Sequence, residues 1–381
     1  MDRVAVNPNL LRWARERARL EPMDLAVRFP KLPAWETQDV LPTLKQLESY
    51  ARATHAPIGY FFLPEPPDEP LPIPDFRRMA GVANTRPSPN LLDTIYVCQE
   101  RQAWYRDYAT VAGQGPLEFV GSLTRQTPPV QAAAVIRQAL QFDLEARRTC
   151  PTWAEALRRF IEQAERLGIL VMTSGIVQNN THRSLDPEEF RGFALVDRLA
   201  PLVFLNGADS RSAQMFTLAH ELAHVWLGAS ALSDATAVPV ADGDIEVWCN
   251  RVAAEVLVPL EAFRAALVPG EDLDRALSRL ARQFKVSTLV VLRRLLDAGR
   301  INRRTFDDAY EAELQRLIEI PRGSGGDFYR TTVSRIGRRF GRALVESTLE
   351  GRTLFRDAYR MLGVSKGATF NELGRSLGFA L

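Results

Sequence analysis

His220, Glu221 and His224 stand in the string HELAH, and their spacing defines a chemistry. Residues four apart lie about 40° apart around a helix, so two imidazoles on one face can share a single divalent ion. A carboxylate beside them can hold a water at that ion and accept its proton, the part of a general base. The competing reading is a pair of core histidines on a buried helix. The chain has only four histidines, His55, His182, His220 and His224, so chance formation of the pattern is on the order of a few in a thousand.

A catalytic zinc ion, Zn2+, needs a third protein ligand and a position open to water. No histidine follows His224, which leaves a carboxylate or Cys249. The next helical stretch, capped by Asp242 or Asp244 and closed by Pro259, offers Glu246 and Glu255. Glu246 shares its side with Cys249, Asn250, Ala253 and Leu257, mostly small or apolar and so inward-facing. Glu255 falls about 180° away, with Arg251 four residues before it in salt-bridge register. The periodicity selects Glu246 as ligand, reads Glu255 as a solvated surface residue, and leaves Cys249 as a small buried side chain.

These side chains need a scaffold, and the sequence supplies one. Ser210 or Ser212 can cap a helix over Phe216–Leu227, and Gly228 suits its end. Before it, residues 168–172, 190–196 and 201–206 are short, rich in Val, Ile, Leu and Phe, and bounded by Gly, Pro or Asp, as strands are. The strand at Leu202–Asn206 either pairs with an extended peptide near the metal or is covered on both edges. Upstream, residues 88–168 have a helical pattern, clearest at Trp153–Leu167. After Pro259 the pattern is helical again, broken at Pro321–Gly326, where a flexible joint is expected. No repeat of 20 to 50 residues is visible.

The segments FRGFALVDRLAPLVFLNGADSRSAQMFTLAHELAHVWLG and EVWCNRVAAEVLVP, within about Gly168 to Leu296, resemble the ImmA/IrrE family of zinc metallo-endopeptidases. The resemblance implies zinc on His220, His224 and Glu246, with Glu221 as the catalytic base. Val258-Pro259 departs mildly from the family's usual Met-Pro. It further implies a protein substrate, typically a helix-turn-helix transcriptional repressor cleaved in response to stress or phage-related signals.

Residues 9–62 resemble an XRE-type helix-turn-helix domain, through LAVRF at 25–29, Trp35-Glu36 and LPTLKQLESYA at 41–51. Only eight residues separate Leu25-Ala26 from Trp35-Glu36, about four fewer than usual, and Pro30 and Pro33 lie among them. Proline breaks a helix interior, so the element that would enter the major groove is expected to be shortened or lost. Nine Lys/Arg against seven Asp/Glu in residues 1–64 make a weak phosphate footprint. Protein docking or dimerisation, including a homodimer, fits this unit better than DNA reading.

A second helix-turn-helix-like pair is expected at Leu273–Phe284 and Thr288–Leu296, with Ser287 as cap. Nine basic residues face two acidic ones between Leu273 and Arg304. Ser287, Thr288, Arg293 and Arg294 are therefore candidates for contact with DNA or a partner, against the alternative of a helical pair with a solvated basic face. The tail, residues 327–381, carries ten basic and five acidic residues.

The expected organisation is an α+β chain, mostly helical, with a small antiparallel or mixed sheet beside a zincin-like HExxH helix. Residues 1–64 form the XRE-like domain and 65–80 a Pro-rich linker around PEPPDEPLPIP. Residues 81–167 form a helical connecting region, 168–300 the metallopeptidase domain, and 301–381 a basic helical region. At 381 residues, two or three units are expected. With 46% apolar and 25% charged residues the chain is neither disordered nor fibrous. An odd count of three cysteines argues against a disulfide framework, and no membrane span or apolar signal core is visible, so a cytoplasmic protein is expected. The leading expectation is hydrolysis of a peptide bond in a protein. Its rival is a DNA-binding regulator or toxin–antitoxin component whose peptidase-like domain senses or docks a partner.

Overall fold

A computed structural model describes residues 3–74, 86–233, 244–319 and 328–380. The expected cap at Asp242 and the joint at Pro321–Gly326 lie outside them. The chain divides into two compact units.

The first unit contains α1 (Pro8–Arg17), α2 (Pro22–Ala26), α3 (Leu32–Glu36), α4 (Leu44–Ala53) and a 3-10 turn at Ile58–Phe62. Asn7 starts α1 by accepting a hydrogen bond from the Asn9 amide, with Pro8 at the first helical position. Thr43 and Gln46 exchange bonds as a capping box on α4. Leu10, Leu11, Phe29, Trp35, Leu47, Tyr50 and Phe61 make the core. The buried Tyr50 hydroxyl donates to the Leu11 carbonyl at 2.8 Å, which satisfies its polar end. The proline-rich stretch is tied down within this unit: Glu69 accepts from the Arg17 guanidinium, Nη2 to Oε1 2.9 Å.

In the second unit, residues from Tyr96 continue α5 (Pro89–Val111), followed by α6 (Pro129–Leu140), α7 (Leu144–Arg148) and α8 (Trp153–Arg166). Then come β1 (Leu170–Ser174), β2 (Gly192–Leu195), β3 (Leu202–Asn206), α9 (Arg211–Leu227), β4 (Ala231–Ser233) and α10 (Asp244–Leu257). The C-terminal part is helical: α11 (Leu260–Ala265), α12 (Leu273–Phe284), α13 (Thr288–Asp297), α14 (Arg303–Glu319), α15 (Phe328–Ile336), α16 (Arg338–Leu349), α17 (Phe355–Leu362) and α18 (Gly367–Ser376). The protein is thus mostly helical with a small mixed sheet. Among the described residues no helix is long and apolar enough to cross a membrane.

The strand order is β1-β3-β2-β4. β1 runs parallel to β3, with Leu170 opposite Leu202, while β2 runs antiparallel to both β3 and β4, with Phe193 opposite Phe204 and Leu232. Every residue of β1, β2 and β3 is buried, which explains their near-continuous apolar runs. Of the two readings of β3, coverage on both edges holds and peptide pairing is ruled out. Its backbone groups are already paired on one edge by β1 and on the other by β2, so none are left for another chain.

α9 lies against β2 and β3, with α8 and α10 packed on it. From Gln214 to Trp226 each of its residues is buried. A helix enclosed on all sides has no polar face, so its apolar periodicity is weak. Full burial of side chains such as Leu222 and Trp226 contributes about 1.5–3 kcal/mol each relative to exposure.

Candidate metal centre

The turn from β3 into α9 is held by polar contacts. Asn206 is buried and donates from Nδ2 to the Phe190 carbonyl at 3.0 Å; Arg191 pairs with Asp209 at 2.8 Å. Ser210 then caps α9, its Oγ accepting from the Ala213 amide at 3.2 Å. At the other end Gly228 takes the left-handed conformation, φ 79°, that stops the helix. His220, Glu221 and His224 sit in the middle of this fixed rod, all at 0% exposure.

α10 brings the third group. Trp248 Nε1 donates to the Thr127 carbonyl at 2.8 Å, fixing the rotation of α10, and Glu246 points at the two imidazoles. His220 Nε2 lies 3.1 Å from His224 Nε2 and 3.1 Å from Glu246 Oε2, and His224 Nε2 lies 3.0 Å from Glu246 Oε1. Donors about 2.0–2.1 Å from a tetrahedral zinc stand roughly 3.3 Å apart. Two imidazole nitrogens and a carboxylate at nearly that separation therefore fit one face of such a site. Among the described residues these three form the group able to hold a metal.

The electrostatics agree with a cation site. Burial would push the Glu246 carboxyl up, yet the charges and hydrogen bonds of His220 and His224 outweigh it and hold it well below the usual carboxylate range. Burial pulls both histidines down. For His220 this is overcome by Glu246, with smaller help from Glu221 and Asn250, so its pKa rises; for His224, burial wins and it falls. Cys249, the alternative ligand, is outside the cluster. Burial, then Glu246 and Glu221, hold its thiol well above its ordinary pKa, so it remains a neutral packing residue.

Two residues at the centre were not singled out from sequence. Asn250, one turn after Glu246, places Oδ1 2.9 Å from His220 Nδ1. Accepting that ring proton leaves the Nε2 lone pair directed at Glu246 and His224, the usual way an outer partner sets a ligand's tautomer. Gly192 on β2 is the second. A Cβ there would lie 2.6 Å from Thr217 Cγ2 and 3.3 Å from Glu221 Oε1, so only glycine lets α9 settle this closely on the strand. The helical spacing from Glu246 to Asn250 could have drawn notice to the first; no local signal marks the second.

Residues 164–296 match the Peptidase_M78 family, the IrrE N-terminal-like domain. The IrrE-like match covers the sheet from β1, α9 and α10, and ends within α13. It supports a relationship to the ImmA/IrrE family and a metallopeptidase-like function. Residues 336–376 match a domain of unknown function, DUF8813. None of the curated proteins compared with the chain matches it.

Within the IrrE-like domain, several expected roles change. Glu255 is not solvated: it is 7% exposed and pairs with Arg294 at 2.9 Å rather than with Arg251. Arg294, 3% exposed, also reaches Asp297 at 3.1 Å, and Arg293 pairs with Asp297 at 2.9 Å. Ser287 is the cap of α13, and the Thr288 hydroxyl donates to Glu313 at 2.5 Å. All four candidates for DNA or partner contact are thus engaged inside the chain. The positive count between Leu273 and Arg304 overstated the available charge, because Arg279, Arg294 and Arg303 pair with Glu271, Glu255 and Asp307, three acids outside that stretch.

Proposed function

We propose that the protein is a zinc-dependent endopeptidase acting on a protein substrate. The observation that carries this reading is the convergence of His220 Nε2, His224 Nε2 and the Glu246 carboxylate within 3.1 Å of one another, beside the buried Glu221. His220, His224 and Glu246 would hold the ion. Bound there, zinc supplies a Lewis acid and a water of lowered pKa.

The chain's own residues do the rest. Asn250 keeps His220 in the tautomer whose Nε2 can bind. Glu221, one residue after His220 on the rigid α9, accepts a proton from water at a carboxylate oxygen and returns it to the departing amide nitrogen. Close packing of β2 against α9 at Gly192 fixes the position of that carboxylate. The resemblance to the ImmA/IrrE family supports a helix-turn-helix repressor as substrate. Glu221→Gln should retain zinc and lose cleavage of a co-expressed repressor by about a thousandfold or more. Cleavage at the parental rate would remove Glu221 from the reaction.

A further inference from the structure

The first unit contains a cleft of about 470 Å³ between α3 and α4. Phe29 and Trp35, 4% and 3% exposed, form its apolar wall, with ring centroids 6.1 Å apart. Among the described residues Trp35 Nε1 has no hydrogen-bond acceptor.

Three exposed cations, Arg28, Lys31 and Lys45, line the cleft as well. Arg28 lies over the Phe29 ring at 5.3 Å, and none of the three has an ion-pair partner among the described residues. Beside Arg28 in the chain, Met23 and Val27 are 86% and 97% exposed and four residues apart, on one side of α2 and its end. Apolar side chains in water beside uncompensated positive charge mark a surface for an amphipathic acidic partner.

DNA fits this surface less well. α3 is a five-residue helix with Pro33 inside it, too short to lie along a major groove. Met23 and Val27 would meet phosphates with apolar surface. A cleft of this volume suits one large side chain and the backbone around it.

We propose that the cleft docks an acidic peptide segment of a partner protein, which inserts one large apolar side chain against Phe29 and Trp35 and sets carboxylates beside Arg28, Lys31 and Lys45. This site is independent of the metal centre.

The test uses the full chain and a displayed library of random peptides of about twelve residues, the length of a short docking segment. Enriched peptides should combine two or more Asp or Glu with one Trp, Phe, Leu or Met. They should bind the doubly reversed variant Lys31→Glu, Lys45→Glu roughly tenfold or more weaker at low salt. Melting and zinc content should be unchanged, since both lysines are exposed. Replacing the selected peptide's acids by lysine should restore binding to that variant. Enrichment without acidic residues, equal affinity for parent and variant, or binding of a mixed-sequence DNA duplex with the same dependence on Lys31 and Lys45 would each overturn the proposal.

Discussion

At the scale of single residues, the proposed metal centre would draw on one amide besides its three candidate ligands. Asn250 Oδ1 receives the His220 Nδ1 proton, and without it the ring can turn over or change tautomer. Outer partners of this kind are worth about 10–100-fold in metal affinity. Asn250→Ala is therefore expected to bind zinc about 10–100-fold more weakly while melting close to the parent at saturating zinc, as read by competition with a chromogenic chelator. Unchanged affinity would show that His220 needs no such partner. His220, Glu221 and His224 were legible in the sequence because four-residue spacing is local helical geometry. Gly192 was not, because its demand arises only when a strand remote in the sequence meets Thr217 and Glu221.

At the scale of elements, α10 carries two glutamates with opposite duties. Periodicity alone separated their sides, and the structure places Glu246 with the histidines. It could not tell that the far side is also covered, since Glu255 finds Arg294 on α13, a pairing set by tertiary packing. Arg147 and Arg137 grip the same end of α10, donating to the Leu257 and Glu255 carbonyls at 2.5 Å each, and these too have no local signature. The two glutamates should respond differently. Glu246→Gln is expected to lose zinc and keep its unliganded fold. Glu255→Gln should keep zinc yet lose about 3 kcal/mol in urea unfolding, because it strips a buried guanidinium of one partner. Loss of zinc in Glu255→Gln with unchanged stability would reverse the assignment. The sheet repeats the lesson: the composition of β3 marks a strand, whereas its place between β1 and β2 is a property of topology.

At the scale of the molecule, the C-terminal segment joins the sheet through a buried acid. Glu165, at the end of α8, accepts the Arg339 amide at 3.0 Å and thereby caps α16 from outside it, while Gly337, φ 77°, approaches the Val171 carbonyl of β1 where a Cβ would stand 2.7 Å away. Burial pushes the Glu165 carboxyl up to about 7, only partly offset by the Arg339 and Arg338 amides and charges. A folded pKa above the unfolded value near 4.5 makes ionisation costly in the folded state. Stability is then greatest below about pH 4.5 for this group, falls as pH rises through the window to about 7, and is level above it. The shift corresponds to on the order of 3 kcal/mol. Glu165→Gln, still able to accept the Arg339 amide, is expected to remove this group's share of the fall. The difference in Tm between pH 5 and pH 8 should be smaller than in the parent; an identical difference would show that Glu165 titrates normally.

The most direct measurement of the central claim is elemental analysis of the purified full chain beside His224→Ala. About one zinc per parent chain, held through dialysis, and almost none in the variant are expected. Equal zinc in the two proteins, or a parent that binds none when zinc is supplied, would contradict it.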